Sequence, residues 1–272
     1  MTSRLLLAGA AAALFAGCST APAPRVNELL RDKQLAQDNA YAEYSDLNWK
    51  GAARNFQRTA DILNSLDDYA GEAAARHNQA RALQHAGEFD AAIAAYQRAL
   101  DINRRLNRPA DQSHSLAGLA QCHAALGRLP QAIEAAEQAL PIATTAKLIV
   151  QNDLASLLIQ RNQAGDLDRA RKLLDTALAA DPKLAVTQLN LGRAALVAGQ
   201  RAEAKTRLTG ALEAFRANQD PAGIACAHET LALCCQALCD NEAAKFHREH
   251  ARQKFTFLKD AAALKRLDSE KP

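Results

Sequence analysis

Gly87-Glu88-Phe89-Asp90-Ala91-Ala92-Ile93-Ala94-Ala95-Tyr96-Gln97-Arg98-Ala99-Leu100 is the stretch on which the fold turns. After its glycine come large, small, large, small and large apolar residues at offsets 2, 5, 9, 12 and 13. Those offsets follow one stripe of a helix, so the stretch predicts a turn followed by an amphipathic helix. The same frame returns at Gly127 with Leu129, Ala132, Ala136, Ala139 and Leu140, and at Gly165 with Leu167, Ala170, Leu174, Ala177 and Leu178. A further copy starts at Gly199, with Ala204, Leu208, Ala211 and Leu212. Upstream, Trp49, Ala52 and Phe56 fit without a glycine; downstream only Ala244 and Ala251 fit. The small residue at offset 5 thus recurs at Ala52, Ala92, Ala132, Ala170, Ala204 and Ala244, with spacings of 40, 40, 38, 34 and 40 residues. Six units fit the chain.

Seven residues before each turn stands a second small residue, Ala40, Ala80, Ala120, Gly192 or Ala232, with Leu158 the exception. Small residues on both helices of a unit let the two axes approach, while the large ones fill the grooves between units. One hairpin cannot bury its apolar stripe alone, so neighbours must stack into a solenoid with a concave face. Asp181-Pro182 and Asp220-Pro221 pair a turn or N-cap residue with a proline at unit boundaries, where Pro109, Pro130 and Pro141 also fall.

These features resemble the tetratricopeptide repeat family over roughly residues 33–252, best in Asn190-Leu191-Gly192 before the Gly199 turn and in Asp181-Pro182. The 40-residue copies look like its longer-helix variant. The expected fold is all-α, an α-solenoid of about six helical hairpins over residues 31–266 with a C-terminal capping helix. Phe255, Leu258 and Ala262 continue the last helix into that cap, and residues 267–272 are expected to fray.

Composition agrees. Of the 272 residues, 49% are hydrophobic and only 4% aromatic, so the core must be filled largely by Ala and Leu, as in close-packed helices. Val and Ile are too scattered for strands.

The N-terminus carries a separate message. A basic start at Arg4 precedes an apolar run from Leu5 to Phe15, too short to span a bilayer but the right size for a secretory signal over residues 1–17. Leu14-Phe15-Ala16-Gly17-Cys18 resembles the bacterial lipobox, departing from it at Phe15. The resemblance implies that Cys18 is acylated, as with palmitate, and becomes the first mature residue; Ser19 after it resembles the signal for outer-membrane sorting. Residues 18–30 would then be the lipidated Cys and its tether, with Ser19 to Pro24 extended. Loss of Arg4 leaves 32 basic against 30 acidic residues, a formal +2, interspersed without a basic stripe. Nucleic acid is therefore not an expected partner.

No nucleophile with its base, phosphate loop or carboxylate pair shows a catalytic signature, and no cofactor motif occurs. The chain reads as a non-enzymatic adaptor on the periplasmic face of the outer membrane, assisting assembly of a pilus, secretion or other envelope complex. An adaptor that regulates an envelope hydrolase is the alternative. In the resembled family the groove is lined by the first helix of each hairpin. That register implies His77, Arg81, Gln84 and His85, then His114 and Gln121, then Asn152, Asn162 and Gln163, then Arg193, and last Glu229 and Gln236, as the surface for a protein or peptide.

A different chemistry is held by Cys235 and Cys239, one helical turn apart, with His247 and His250 on the next helix, donor types that zinc takes. The repeat frame instead places Cys235 in the packing and Cys239 in the turn position, and core filling is favoured over a metal. Beyond Cys18 five cysteines remain, an odd number that leaves at least one thiol unpaired, and Cys235 with Cys239 on one helix would make a strained bridge, so no disulfide framework is expected.

Overall fold

The computed structural model describes residues 26–269. Among them are thirteen α-helices, one 3-10 turn at Leu140–Ile142 and no strand. The helices are α1 (Val26–Ser45), α2 (Trp49–Ser65), α3 (Tyr69–His85), α4 (Phe89–Arg105), α5 (Pro109–Ala125), α6 (Leu129–Ala139), α7 (Lys147–Arg161), α8 (Asp166–Ala180), α9 (Ala185–Val197), α10 (Arg201–Ala217), α11 (Pro221–Ala237), α12 (Asn241–Phe257) and α13 (Ala261–Ser269). Consecutive helices pair into six hairpins, each packed on the next, and α13 lies against the last. The array is an α-solenoid.

The repeat positions explain the packing. Ala52, Ala92, Ala132, Ala170 and Ala204 are all wholly buried, as are Ala40 and Ala80 on the partnering helices. A methyl group at these seams lets the paired axes approach closely. Ala244 is only half-buried, since no further full hairpin covers α12. Leu158, the one large residue at a small position, is completely buried where α7 meets α8.

Turns close the hairpins through left-handed residues. Gly87, Gly127, Gly165 and Gly199 have φ between 71 and 84°, where a glycine carries no Cβ penalty. The first and last hairpins use Leu47 and Cys239 at the same place, each with φ 61°. Aspartate and asparagine caps begin the following helices: Asn48, Asp68, Asp220 and Asp240 each accept a backbone N–H of the first turn.

Three boundaries differ from expectation. Helix α1 begins at Val26, ahead of residue 31, so the tether expected over 18–30 is helical at its end. Helix α12 does not run on into the cap. It stops at Phe257, Lys259 turns left-handed with φ 56°, and Asp260 caps α13 by accepting the Ala263 N–H at 2.9 Å. Ala262 accordingly points outward while Ala263 and Leu267 are buried. The tail is thus ordered through Ser269, two residues beyond the expected start of fraying at 267. The signal segment 1–17 and Cys18 lie outside the described residues. Among the described residues no helix is long and apolar enough to cross a membrane.

Candidate functional site

The first helices of successive hairpins, α3, α5 and α7, stand side by side and leave a cleft of about 550 Å³. His77, Arg81, Gln84 and His85 of α3 and His114 and Gln121 of α5 line it, with Tyr96, Ala117, Gly118, Ala146 and Ile149 between them. All six polar residues are among those that the family resemblance implies for the groove, and on each helix their spacing puts them on one face.

Along the cleft runs a chain of side-chain hydrogen bonds that crosses three hairpins. The Tyr96 hydroxyl donates to Gln84 Oε1 at 2.9 Å, Gln84 Nε2 to Gln121 Oε1 at 3.0 Å, and Gln121 Nε2 to Asp153 Oδ2 at 3.0 Å. Tyr96 reaches this position because α5 carries Gly118 opposite it: a Cβ there would overlap the ring. Tyr96 and Asp153 were not among the residues expected from sequence. Tyr96 sits on a second helix and had been assigned to packing; Asp153 has no repeat counterpart to mark it.

At one side the groove is aromatic. His85 stacks on Trp49 with ring centroids 4.7 Å apart, Tyr44 meets Trp49 edge-on at 4.9 Å, and the Arg81 guanidinium lies 5.7 Å from the Tyr44 ring centre. Burial, reinforced by Arg81 and then His114, holds His77 down at about 4, so its imidazole is neutral at physiological pH. His85 is lowered by burial and then by Arg81. Burial raises Asp153, while the hydrogen bond from Gln121 opposes the rise. Among the described residues no carboxylate lines the cleft, and Arg81 is its one permanently charged side chain.

Nearer the N-terminal ends of α3 and α5 lies a smaller pocket of about 140 Å³, which shares His77 and His114 with the cleft. Its wall includes Asn78, Asn103, Ser115 and the ion pair Arg108 Nε–Asp111 Oδ2 at 2.8 Å. The Ser115 hydroxyl is 3.5 Å from His77 Nδ1.

The remaining expected groove residues stand elsewhere. Asn152 is buried, its Nδ2 donating to Thr187 Oγ1 at 3.1 Å and to the Leu148 carbonyl at 2.9 Å, its Oδ1 accepting from Asn190 at 3.3 Å. It joins α7 to α9 and is not surface. Asn162 caps α7 in the left-handed conformation, and the Gln163 N–H donates to Asp166 Oδ2, so both belong to the hairpin turn rather than the groove. Helix α7 starts only at Lys147 after the 3-10 turn, which shifts its faces relative to the longer copies. Arg193 donates to Thr230 Oγ1 at 3.3 Å, and Gln236 is half-buried on α11, outside the cleft. Glu229 is buried and bound by Arg266 of α13.

The Cys and His donors at the C-terminal end are not gathered. Cys235 is wholly buried and Cys239 exposed in the turn, whereas His247 Nδ1 is 2.8 Å from His228 Nδ1 and His250 Nδ1 is 2.9 Å from the Phe246 carbonyl. Among the described residues, no three His, Cys, Asp or Glu side chains are arranged to hold a metal ion. The described cysteines Cys122, Cys226, Cys234, Cys235 and Cys239 are all free thiols.

Comparison with known proteins places this geometry. No curated protein matches the sequence. Solved structures with the same fold include PilW, a widely conserved type IV pilus biogenesis factor, at 17% identity and a TM-score of 0.62 over 86% of this chain and 97% of that one. The apo form of RapI aligns at 14% identity and a TM-score of 0.69 over 85% of each chain. PilF of Pseudomonas aeruginosa aligns at 13% identity and a TM-score of 0.57 over 89% of this chain and 99% of that one. Residues 73–145 and 161–225 each match the tetratricopeptide repeat family, half of the chain between them. With six stacked hairpins and those matches, the chain belongs to the tetratricopeptide repeat family.

Proposed function

We propose that this protein is a non-catalytic adaptor that takes an extended segment of a partner protein into the cleft of α3, α5 and α7, while acylated Cys18 holds it on the periplasmic face of the outer membrane. One observation carries the binding reading: six polar side chains of two adjacent first helices, with Arg81 among them, converge on one open cleft. An extended chain exposes N–H and C=O groups at regular intervals, and amides and imidazoles can accept from the first and donate to the second. The Tyr44–Trp49–His85 cluster adds a flat apolar wall at the same site. Support for the envelope setting comes from the lipobox-like Leu14–Cys18 segment and from the shared fold with PilW, itself a pilus biogenesis factor.

The test is capture of partners by the acylated protein in its own cells, beside a variant with His77, Arg81, His114 and Gln121 all replaced by alanine. Loss of a defined partner from the variant, with its helix content unchanged, supports the reading; retention of every partner overturns it. Membrane attachment unaltered by Cys18→Ala would overturn the lipid anchor.

A further inference from the structure

Helix α12 carries two phenylalanines that the packing leaves in solvent. Phe257 is 76% exposed and Phe246 53%. They stand eleven residues apart, three turns of helix, so both rings lie on one face, about 16 Å apart along the axis. Glu242, Glu249 and Gln253 share that face and are exposed too. Among the described residues neither glutamate has an ion-pair partner; Glu249 only accepts from Gln253 Nε2 at 3.4 Å. In the repeat frame, Phe246 falls two residues after the seam position of Ala244, where the other units have Arg54, Ala94, Glu134, Lys172 and Thr206. Single exposed apolar side chains are ordinary on protein surfaces, but two on one face, alternating with free carboxylates, make a stripe. Those carboxylates disfavour an anionic bilayer as its cover.

One hairpin earlier the second helix is hollow at the matching place. An open groove of about 540 Å³ runs between α10 and the connection that leads into α9. Pro182, Gly210, Ala214 and Ala217 give it a lining of small apolar groups, and Lys183 and Arg207 give it two cations. A Cβ on Gly210 would meet nothing within 4 Å. Thr206 and Ala217, the register counterparts of Phe246 and Phe257, both border the groove. Among the described residues the Lys183 ammonium has no acidic partner, and Arg207 shares Glu203 with Arg171, at 3.7 and 3.0 Å. One guanidinium charge is therefore unmatched. Among the described residues no carboxylate lines the groove. It thus offers small apolar groups and positive charge where α12 offers rings and negative charge.

We infer that the protein pairs with a second copy of itself, the Phe246 and Phe257 stripe of each protomer seated in the groove lined by Gly210 and Ala217 of the other, with Glu242 and Glu249 against Lys183 and Arg207. Stripe and groove occupy the same register on consecutive hairpins, so they share one side of the solenoid. A two-fold axis between them makes each contact twice and closes the pair instead of opening a filament. Rings entering a groove of small residues take apolar surface of both protomers out of water, and the unlike charges fix how the helices align. The face belongs to second helices, apart from the cleft of α3, α5 and α7, so pairing leaves that cleft open.

Sedimentation velocity of the full chain, with reductant present so that Cys239 cannot link two copies, tests this between about 1 and 200 μM, the range suited to a small interface. The expected result is a reversible dimer that Phe257→Ser weakens about tenfold or more. Gly210→Gln fills the groove with a better helix former and no clash, so it should weaken pairing about as much while the melting temperature does not fall. Charge reversal is the decisive arm. Glu242→Lys with Glu249→Lys makes the stripe basic, and Lys183→Glu with Arg207→Gln makes the groove acidic. Each double variant alone should stay monomeric, and a one-to-one mixture should pair again, since every stripe then meets an oppositely charged groove. A monomer at every concentration, a dimer indifferent to both Phe257→Ser and Gly210→Gln, or a mixture that fails to pair would overturn the assignment. A monomer whose Phe257→Ser variant loses flotation with phosphatidylglycerol vesicles, or loses capture of a different protein, would give the stripe to that partner instead.

Discussion

Arg266 of α13 grips the buried carboxylate of Glu229 on α11 through two hydrogen bonds, 2.7 and 3.0 Å long. Glu229 occupies, in the last hairpin, a position the repeat register assigns to the groove. The short α13 therefore lies where a seventh hairpin would begin and satisfies what that hairpin would have satisfied.

The cap can be tested by cutting this pair. Arg266→Ala leaves Glu229 buried and unpaired and is expected to destabilise the C-terminal hairpin by about 2 kcal/mol, less than for a fully buried pair because Arg266 is itself half exposed. Urea unfolding, with hydrogen exchange in α11 and α12, would register it. The double change Arg266→Met, Glu229→Gln should recover most of the loss. Equal stability of Arg266→Ala and the unaltered protein would show that the cap is ornamental.

Gly118 admits the Tyr96 ring between α4 and α5, and its replacement should be costly. Gly118→Ala is expected to lose about 1–3 kcal/mol through overpacking, despite the better helix propensity of alanine. Tyr96→Phe keeps the ring and removes only the bond to Gln84, so its cost should stay near 1 kcal/mol. Denaturant midpoints of the two variants decide the order.

Acid should weaken the fold over a defined window. His77 and His228 each sit at about 4 in the folded chain, against an ordinary 6.5. Burial is the main cause for both; Arg81 and His114 add to it for His77, and His247 and His250 for His228. Above 6.5 both are neutral folded or unfolded and contribute no pH dependence. Below it the unfolded chain takes up protons that the folded chain refuses, so the part of the stability that these two residues govern falls from pH 6.5 to about 4 and then levels. His228→Gln should reduce the slope in that window by up to about 1.4 kcal/mol per pH unit, measured by urea unfolding at several pH values.

Cys239 holds a left-handed turn position in which four other hairpins use glycine. Cys239→Gly should raise stability by about 1 kcal/mol by removing the Cβ clash of that conformation. Among the described residues it is also the exposed thiol, whereas burial raises Cys122 to about 11 and lifts Cys234 and Cys235 in the same direction. A thiol reagent should therefore modify Cys239 first in the native protein, with Cys122 silent until the chain unfolds.

The architecture was legible because its determinants are local and repeated. Ala52, Ala92, Ala132, Ala170 and Ala204 mark the same seam, and all five are wholly buried in it. Six groove residues could be grouped for the same reason: α3 and α5 have equal length, so one register serves both. Register failed where length changed. Helix α7 is shorter and begins after a 3-10 turn, so Asn152 turned inward and Asn162 fell in the cap. The break before α13 was missed because Lys259 carries no turn signal of its own and Asp260 reads as a cap only once the break is known.

The hydrogen bonds from Tyr96 through Gln84 and Gln121 to Asp153 mean that the floor of the cleft is already spoken for before anything arrives. A guest that claims the Gln121 amide must part it from Asp153 and leave a half-buried carboxylate to find water. Such trading of one bond for another yields little net enthalpy. Recognition on these terms depends on fit and on lost alternatives rather than on strength, and complexes formed this way come apart readily.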